Sequence, residues 1–296
     1  MTWLTRDHFA QRGAPGRFLL RRAIRIVPPY WFFTTLMIAA AVFASAYVRK
    51  TTPTVIQALT SYAFLPWPRP SDGKLNPLLS QGWTLNHEVF FYAAFALALC
   101  FRNGLRWLVV GLIILAAIHY SVPRDMFALR FWSDPIILEF VAGIGIARLY
   151  IHGVRLSVSG SLAIAGLGVA VFLAARLLPR FDDDRFLGLG PGAALLVAAF
   201  ALLPEADAAG PSRRLLRLGG DASYTLYLSH TFTANAVAVL WRRQAYLSAG
   251  TGVAAAIIVA TTIAIAFYRL VERPVTEALS RASGLSLPGA VQRVAP

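Results

Sequence analysis

The chain is poor in acids, in charge altogether and in cysteine. Of its 296 residues, 14 are Asp or Glu against 28 Lys or Arg, and charged residues make up only 14%. Soluble domains carry about a quarter, so a soluble globular enzyme is excluded. The net charge of +14 does not indicate nucleic acid as a partner, because such a binder gathers its basic residues into a soluble patch or arm. Here the arginines punctuate apolar runs. The single cysteine, Cys100, excludes a disulfide framework and any CxxC redox or metal motif. His87-Glu88 is followed by Val89, Phe90 and Phe91, with no second histidine at the spacing a zinc protease helix needs, and no metal is expected. The basic first residues lead into no short apolar core and do not read as a signal peptide. There is no internal repeat and no second soluble domain.

What is abundant is apolar surface: 57% hydrophobic residues and a mean hydropathy of +0.59. This composition predicts an all-α, polytopic transmembrane helix bundle with the lipid bilayer as its solvent. A span needs roughly 20 apolar residues, and eight runs are predicted to serve: Pro28 to Tyr47, Gly82 to Phe101, Leu105 to Ile118, Pro135 to Leu149, Leu156 to Leu177, Phe186 to Leu203, Ala222 to Trp241 and Leu247 to Val271. The third and fourth are short. Pro28-Pro29 is expected to open the first run, where first-turn N–H groups are unpaired anyway. Alternating sides from a cytoplasmic start puts seventeen basic residues inside and eleven outside, the bias expected when both termini are cytoplasmic. The domains expected are a cytoplasmic basic segment (1–27), a transmembrane domain (28–273) and a cytoplasmic tail (274–296). The interval Val48 to Gln81 reads as an outer loop with an interfacial helix over Val55 to Phe64. Asp182-Asp183-Asp184 reads as a solvated turn in preference to a cation or sugar site, and His119 and His152 read as boundary residues.

Polar chemistry is concentrated in a few places. Trp83-Thr84-Leu85-Asn86-His87-Glu88-Val89-Phe90-Phe91-Tyr92 carries an amide, an imidazole, a carboxylate and a phenol within one apolar run. On a helix Glu88 aligns with Thr84 and Tyr92, while His87 aligns with Trp83 and Phe91, roughly 100° away. An ionised group at bilayer depth costs roughly 2.5–3.5 kcal/mol on insertion scales. Glu88 is therefore a candidate functional group, against the alternative of a boundary residue or a structural hydrogen bond. Arg22 and Arg25, three apart in the basic stretch Arg17 to Trp31, share a face and suit phosphate oxygens. Ser223, Tyr227 and His230 form a polar stripe that a bundle interior would accept. His230 is read either as a proton-handling group, with Ser223 and Tyr227 as hydrogen-bond partners, or as a satisfied bundle histidine. Glu272-Arg273-Pro274 ends the last run.

Together these stretches resemble the acyltransferase family 3 integral membrane proteins, most closely the branch that acetylates exopolysaccharides. The resemblance is carried by Phe18 to Trp31 with Arg22 and Arg25, by Trp-Thr-Leu-x-x-Glu-x-x-Phe-Tyr at Trp83 to Tyr92, and by Glu139-Phe140-x-x-Gly143-x-x-x-Ala147. Ser-Tyr-x-x-Tyr-Leu-x-His at Ser223 to His230 and the Glu-Arg-Pro end complete it. It implies about ten spans in a bacterial inner membrane. It implies transfer of an acyl group, usually acetyl, from cytoplasmic acetyl-CoA to a hydroxyl of a polysaccharide or lipid-linked saccharide. On that footing Glu88, Tyr92 and His230 are the catalytic candidates, Arg22 and Arg25 the acyl-CoA contacts, and Trp83, Asn86, His87, Ser223 and Tyr227 a substrate-facing or structural stripe. The resemblance also implies a catalytic histidine in a first span, ten residues after an Arg or Lys. No such span is seen here, and Met1 to Asp7 resemble the end of the family's second span. A start codon placed internally, with about 50–60 residues missing, is the expected explanation. A shortened remnant or a partner-dependent subunit is the alternative, and a saccharide transporter a further one.

Overall fold

The computed structural model describes residues 8–43, 53–177, 185–204, 211–241 and 248–285. The expected Asp182–Asp184 turn, the first seven residues and residues 286–296 of the C-terminal tail lie outside the described residues. Among the described residues the secondary structure is entirely helical. In chain order the helices are α1 (Ala14–Phe43), α2 (Val55–Tyr62), α3 (Gly82–Leu99), α4 (Gly104–Ala117), α5 (Phe127–Trp132) and α6 (Leu138–Ile151). They continue as α7 (Val158–Leu177), α8 (Arg185–Ala201), α9 (Pro211–Trp241), α10 (Ala249–Phe267) and α11 (Arg273–Ala282). Each of the eight apolar runs coincides with a helix. Three helical stretches, Ala14–Phe43, Val158–Ala175 and Ala249–Ala282, are long and apolar enough to cross a membrane by length and composition. The chain divides into two compact units. The first contains the described parts of 1–16 and 87–207, the second those of 17–86 and 208–296.

In the first unit, helices approach closely where side chains are small. α7 packs along α8, and at their crossing a Cβ on Gly168 would sit 3.0 Å from the Gly192 carbonyl, and one on Gly192 3.0 Å from the Gly168 carbonyl. Such small-residue contacts let helices gain dispersion energy without a hydrophobic driving force. Ser161 donates to the Ala199 carbonyl at 2.6 Å, which satisfies a buried hydroxyl across the same pair. α3 packs through rings: Phe91 stacks on Phe140 with centroids 4.2 Å apart, and Phe90 on Trp132 at 5.3 Å. The turn from α3 to α4 is so tight that a Cβ on Gly104 would collide with the Ala98 carbonyl. The Ala10 N–H donates to the Leu99 carbonyl at 2.8 Å, which satisfies one of the end carbonyls a helix leaves unpaired.

In the second unit, α1 departs from expectation. The helix begins at Ala14, not at Pro28, and runs 30 residues through both prolines. A proline inside a helix removes one i→i−4 bond, and neighbouring helices can resupply the freed backbone. Close to the prolines, Tyr224 of α9 donates to the Ile26 carbonyl at 2.9 Å and ties α9 to α1. The predicted interfacial helix is present as α2, capped by Thr54. The Trp31 indole donates to the Tyr62 carbonyl at 3.0 Å, and Phe33 packs against Phe232 and Phe267. α10 passes into α11 through a π turn, Tyr268–Glu272, an irregularity found most often at functional sites.

Candidate active site

The second unit gathers polar groups from four separated stretches. Tyr227 of α9 donates to the Gln81 carbonyl at 2.6 Å and shares a 2.5 Å hydrogen bond with the Thr84 hydroxyl. The Gln81 amide in turn donates to the Thr231 hydroxyl. Gly82 lies between them because nothing larger fits: a Cβ there would come within 2.8 Å of the fully buried Tyr30 ring and hydroxyl. Two residues before Tyr227 on α9, the Thr225 hydroxyl donates to Glu272 of the π turn. Glu272 is 6% exposed, and Arg25 and Asp221 lie within electrostatic reach of it. The basic stretch, the Ser-Tyr stretch and the Glu-Arg-Pro end thus meet in one place.

His230 lies on this polar side of α9, half-buried. Its Nδ1 is 2.8 Å from the Tyr227 carbonyl and 3.2 Å from that of Leu226. A carbonyl can only accept, so Nδ1 donates to them, and in the neutral ring Nε2 is the acceptor. The expected partnership with the Ser223 and Tyr227 hydroxyls is replaced by these two carbonyls. Ser223 is exposed and donates to the Gly220 carbonyl of its own helix, and the Tyr227 hydroxyl is engaged by Gln81 and Thr84. His230 is thus held by its own helix, and the Tyr227 hydroxyl fixes α9 against the start of α3.

Asn86 is fully buried, and neither atom of its amide has a protein partner among the described residues. An amide buried without hydrogen bonds costs free energy unless a ligand or water supplies them. Trp83 is half-buried on the same turn of α3. Of the paired arginines, Arg22 is half-buried with its guanidinium 5.7 Å over the Phe18 ring, and Arg25 is exposed. One arginine is thus held in place and its partner is open to solvent.

The remaining candidates belong to the first unit. Tyr92, buried, donates to Glu88 one turn earlier on α3. His87 is also buried, with Nε2 2.9 Å from the Phe131 carbonyl and its ring 4.0 Å from the Phe131 ring. That is the environment of a histidine held for packing. His119 is paired as well, with Nδ1 3.1 Å from the Ser133 hydroxyl. Among the described residues no three His, Cys, Asp or Glu side chains gather as metal ligands.

Sequence reasoning passed over Gln81, Thr225 and Thr231 and treated Glu272 only as the end of a motif. Glu272 carried a signal: an acid one residue before Arg-Pro at the end of a long apolar helix. Its burial depends on a helix almost fifty residues away, which spacing along one segment does not reveal.

The family's acyltransferase domain matches residues 9–269, most of the chain. This chain belongs to acyltransferase family 3. The enzyme is an O-acyltransferase built on apolar helices, as a membrane protein of that family is. It is 38% identical over 280 residues to the exopolysaccharide production protein ExoZ of Rhizobium meliloti (strain 1021), covering 92% of this chain and 84% of the relative. No solved structure matches the acyltransferase.

Proposed function

We propose that this acyltransferase moves an acetyl group from acetyl-CoA to a hydroxyl of an exopolysaccharide sugar or its lipid-linked precursor. This chain contributes eight spans to a helix bundle in the bacterial inner membrane, with both described ends of the chain on the cytoplasmic side. The relative's name supports the acceptor class. The observation that carries the chemistry is the placement of His230 Nδ1 against the Tyr227 carbonyl from a half-buried position, which in the neutral ring leaves Nε2 as the acceptor. Nε2 accepts the proton of the sugar hydroxyl as its oxygen bonds to the acyl carbon. The carbon–sulfur bond breaks, and the departing thiolate takes the proton from the imidazole to leave as free CoA. A positioned base of this kind contributes typically 10²–10⁴-fold. Arg22 and Arg25 bind the CoA phosphates, as guanidinium forks suit phosphate oxygens. The unpaired Asn86 amide bonds substrate, and in the first unit Glu88, which accepts from Tyr92, is a further catalytic candidate.

Membranes containing the protein, given isotopically labelled acetyl-CoA and deacetylated polysaccharide, are expected to form alkali-labile label on the polysaccharide. Absence of label with acetyl-CoA and with longer acyl-CoAs overturns the reading. Replacing Arg22 and Arg25 together by Glu is expected to raise the KM for acetyl-CoA. Unchanged KM in a correctly inserted variant removes them from the donor site.

A further inference from the structure

A second polar concavity lies in the first unit, and neither the transfer chemistry nor any sequence motif above uses it. It is a cavity of about 270 Å³, lined at its rim by Arg102, Arg106, Arg148 and His152. Arg102 lies in the turn from α3 to α4 and Arg106 in the first turn of α4, and Arg148 and His152 are one turn apart at the end of α6. Two pairs of cationic or titratable groups thus converge from two helix ends. No acid lines the cavity, and none of the three arginines has an ion pair among the described residues. Asn103, the residue before α4, also lines it and makes no side-chain cap bond. The floor is apolar: Phe9, Leu105 and Ile151. Phe9 is placed there by the backbone bond from Ala10 to Leu99 and by its edge contact with Phe95.

Apolar surface begins immediately beyond this basic rim. Trp107 is 70% exposed, and Val110 and Ile114 continue its stripe down α4 at helical spacing. Phe101 and Leu97 extend the same exposed surface along the end of α3. A soluble anion has no use for such a stripe. An amphiphile does, with its phosphate among the arginines and its chains along Trp107, Val110 and Ile114.

We propose that this cavity is a binding site for the headgroup of an anionic phospholipid. The guanidiniums hold the phosphodiester by paired hydrogen bonds, and basic pockets between membrane helices bind such headgroups. The residues that line it come from stretches placed on the cytoplasmic side by the count of basic residues. A lipid seated there anchors the ends of α3, α4 and α6 at the bilayer boundary.

The test uses the whole protein reconstituted in nanodiscs of phosphatidylcholine alone or with phosphatidylglycerol. Arginines are modified with phenylglyoxal, and the adducts are read by peptide mass spectrometry. Phosphatidylglycerol is expected to protect Arg102, Arg106 and Arg148 but not the exposed Arg155, whose guanidinium stacks on Tyr150 outside the cavity. In detergent, the Arg102→Gln/Arg148→Gln variant is expected to lose roughly tenfold in preference for phosphatidylglycerol over phosphatidylcholine. The Arg155→Gln/Arg281→Gln control, of equal charge, keeps that preference. Equal modification in both nanodiscs overturns the proposal. So does protection by adenosine 3′,5′-bisphosphate in the absence of anionic lipid, which would assign the cavity to a soluble nucleotide phosphate.

Discussion

The two units each contain a histidine on an apolar helix, and they treat it in opposite ways. In the first unit His87 is buried, its Nε2 set against the Phe131 carbonyl and its ring against the Phe131 ring. In the second, His230 is half-buried, and its own helix takes the Nδ1 proton and leaves Nε2 available. The surroundings differ in the same sense. The first unit is joined by glycine contacts and stacked rings, whereas the second sustains a hydrogen-bonded layer running through Gln81, Thr84, Tyr227 and Thr231. Packing alone does not require such a layer, since glycines and aromatics hold the other unit without one. Polar groups kept where they are expensive are candidates for function.

The largest effect expected from any single substitution is in the first unit. Gly104→Ala places a methyl group against the Ala98 backbone, which cannot rotate away. It is expected to cost about 3 kcal/mol, the upper end of overpacking, seen as loss of folded protein in a thermal melt in detergent. In the second unit, Thr225→Val deprives the buried Glu272 of its hydroxyl donor. A hydrogen bond to a charged group is worth about 1.5–3 kcal/mol, and a melt unchanged from wild type would mean that Glu272 is satisfied otherwise. Gly168→Ala pushes α7 from α8 at the reciprocal glycine contact and is expected to cost about 1 kcal/mol. The smallest stability change is expected for Asn86→Leu, within about 1 kcal/mol of wild type, because it removes an amide that has no protein partner. That variant sharpens the comparison: its melting temperature holds while acyl transfer falls. Loss of both together would make Asn86 a structural residue.

Much of the fold was legible from apolar runs, because a helix that must bury or lipidate about 20 residues announces its length. α2 was legible too, from an apolar decapeptide between prolines. The start of α1 was not, since Pro28-Pro29 reads as a boundary whereas the helix runs through both prolines. The π turn at Tyr268–Glu272 leaves no pattern in a run of apolar residues. Within the site, the Glu88–Tyr92 pairing follows from helical spacing and was readable. The Gln81–Tyr227 and Thr225–Glu272 contacts join residues far apart in the chain, so composition and period carry no trace of them. The division of labour between His87 and His230 was equally hidden, because each depends on which carbonyl a ring nitrogen meets.

The most direct measurement is therefore a pair of rates: acetyl transfer to polysaccharide by His230→Gln and by His87→Gln, each normalised to folded protein in the membrane. The account predicts a fall of about 10²–10⁴-fold for His230→Gln, the range a lost general base produces, with His87→Gln retaining most of its activity per folded molecule. Full activity in His230→Gln, or equal losses in the two variants, would contradict it.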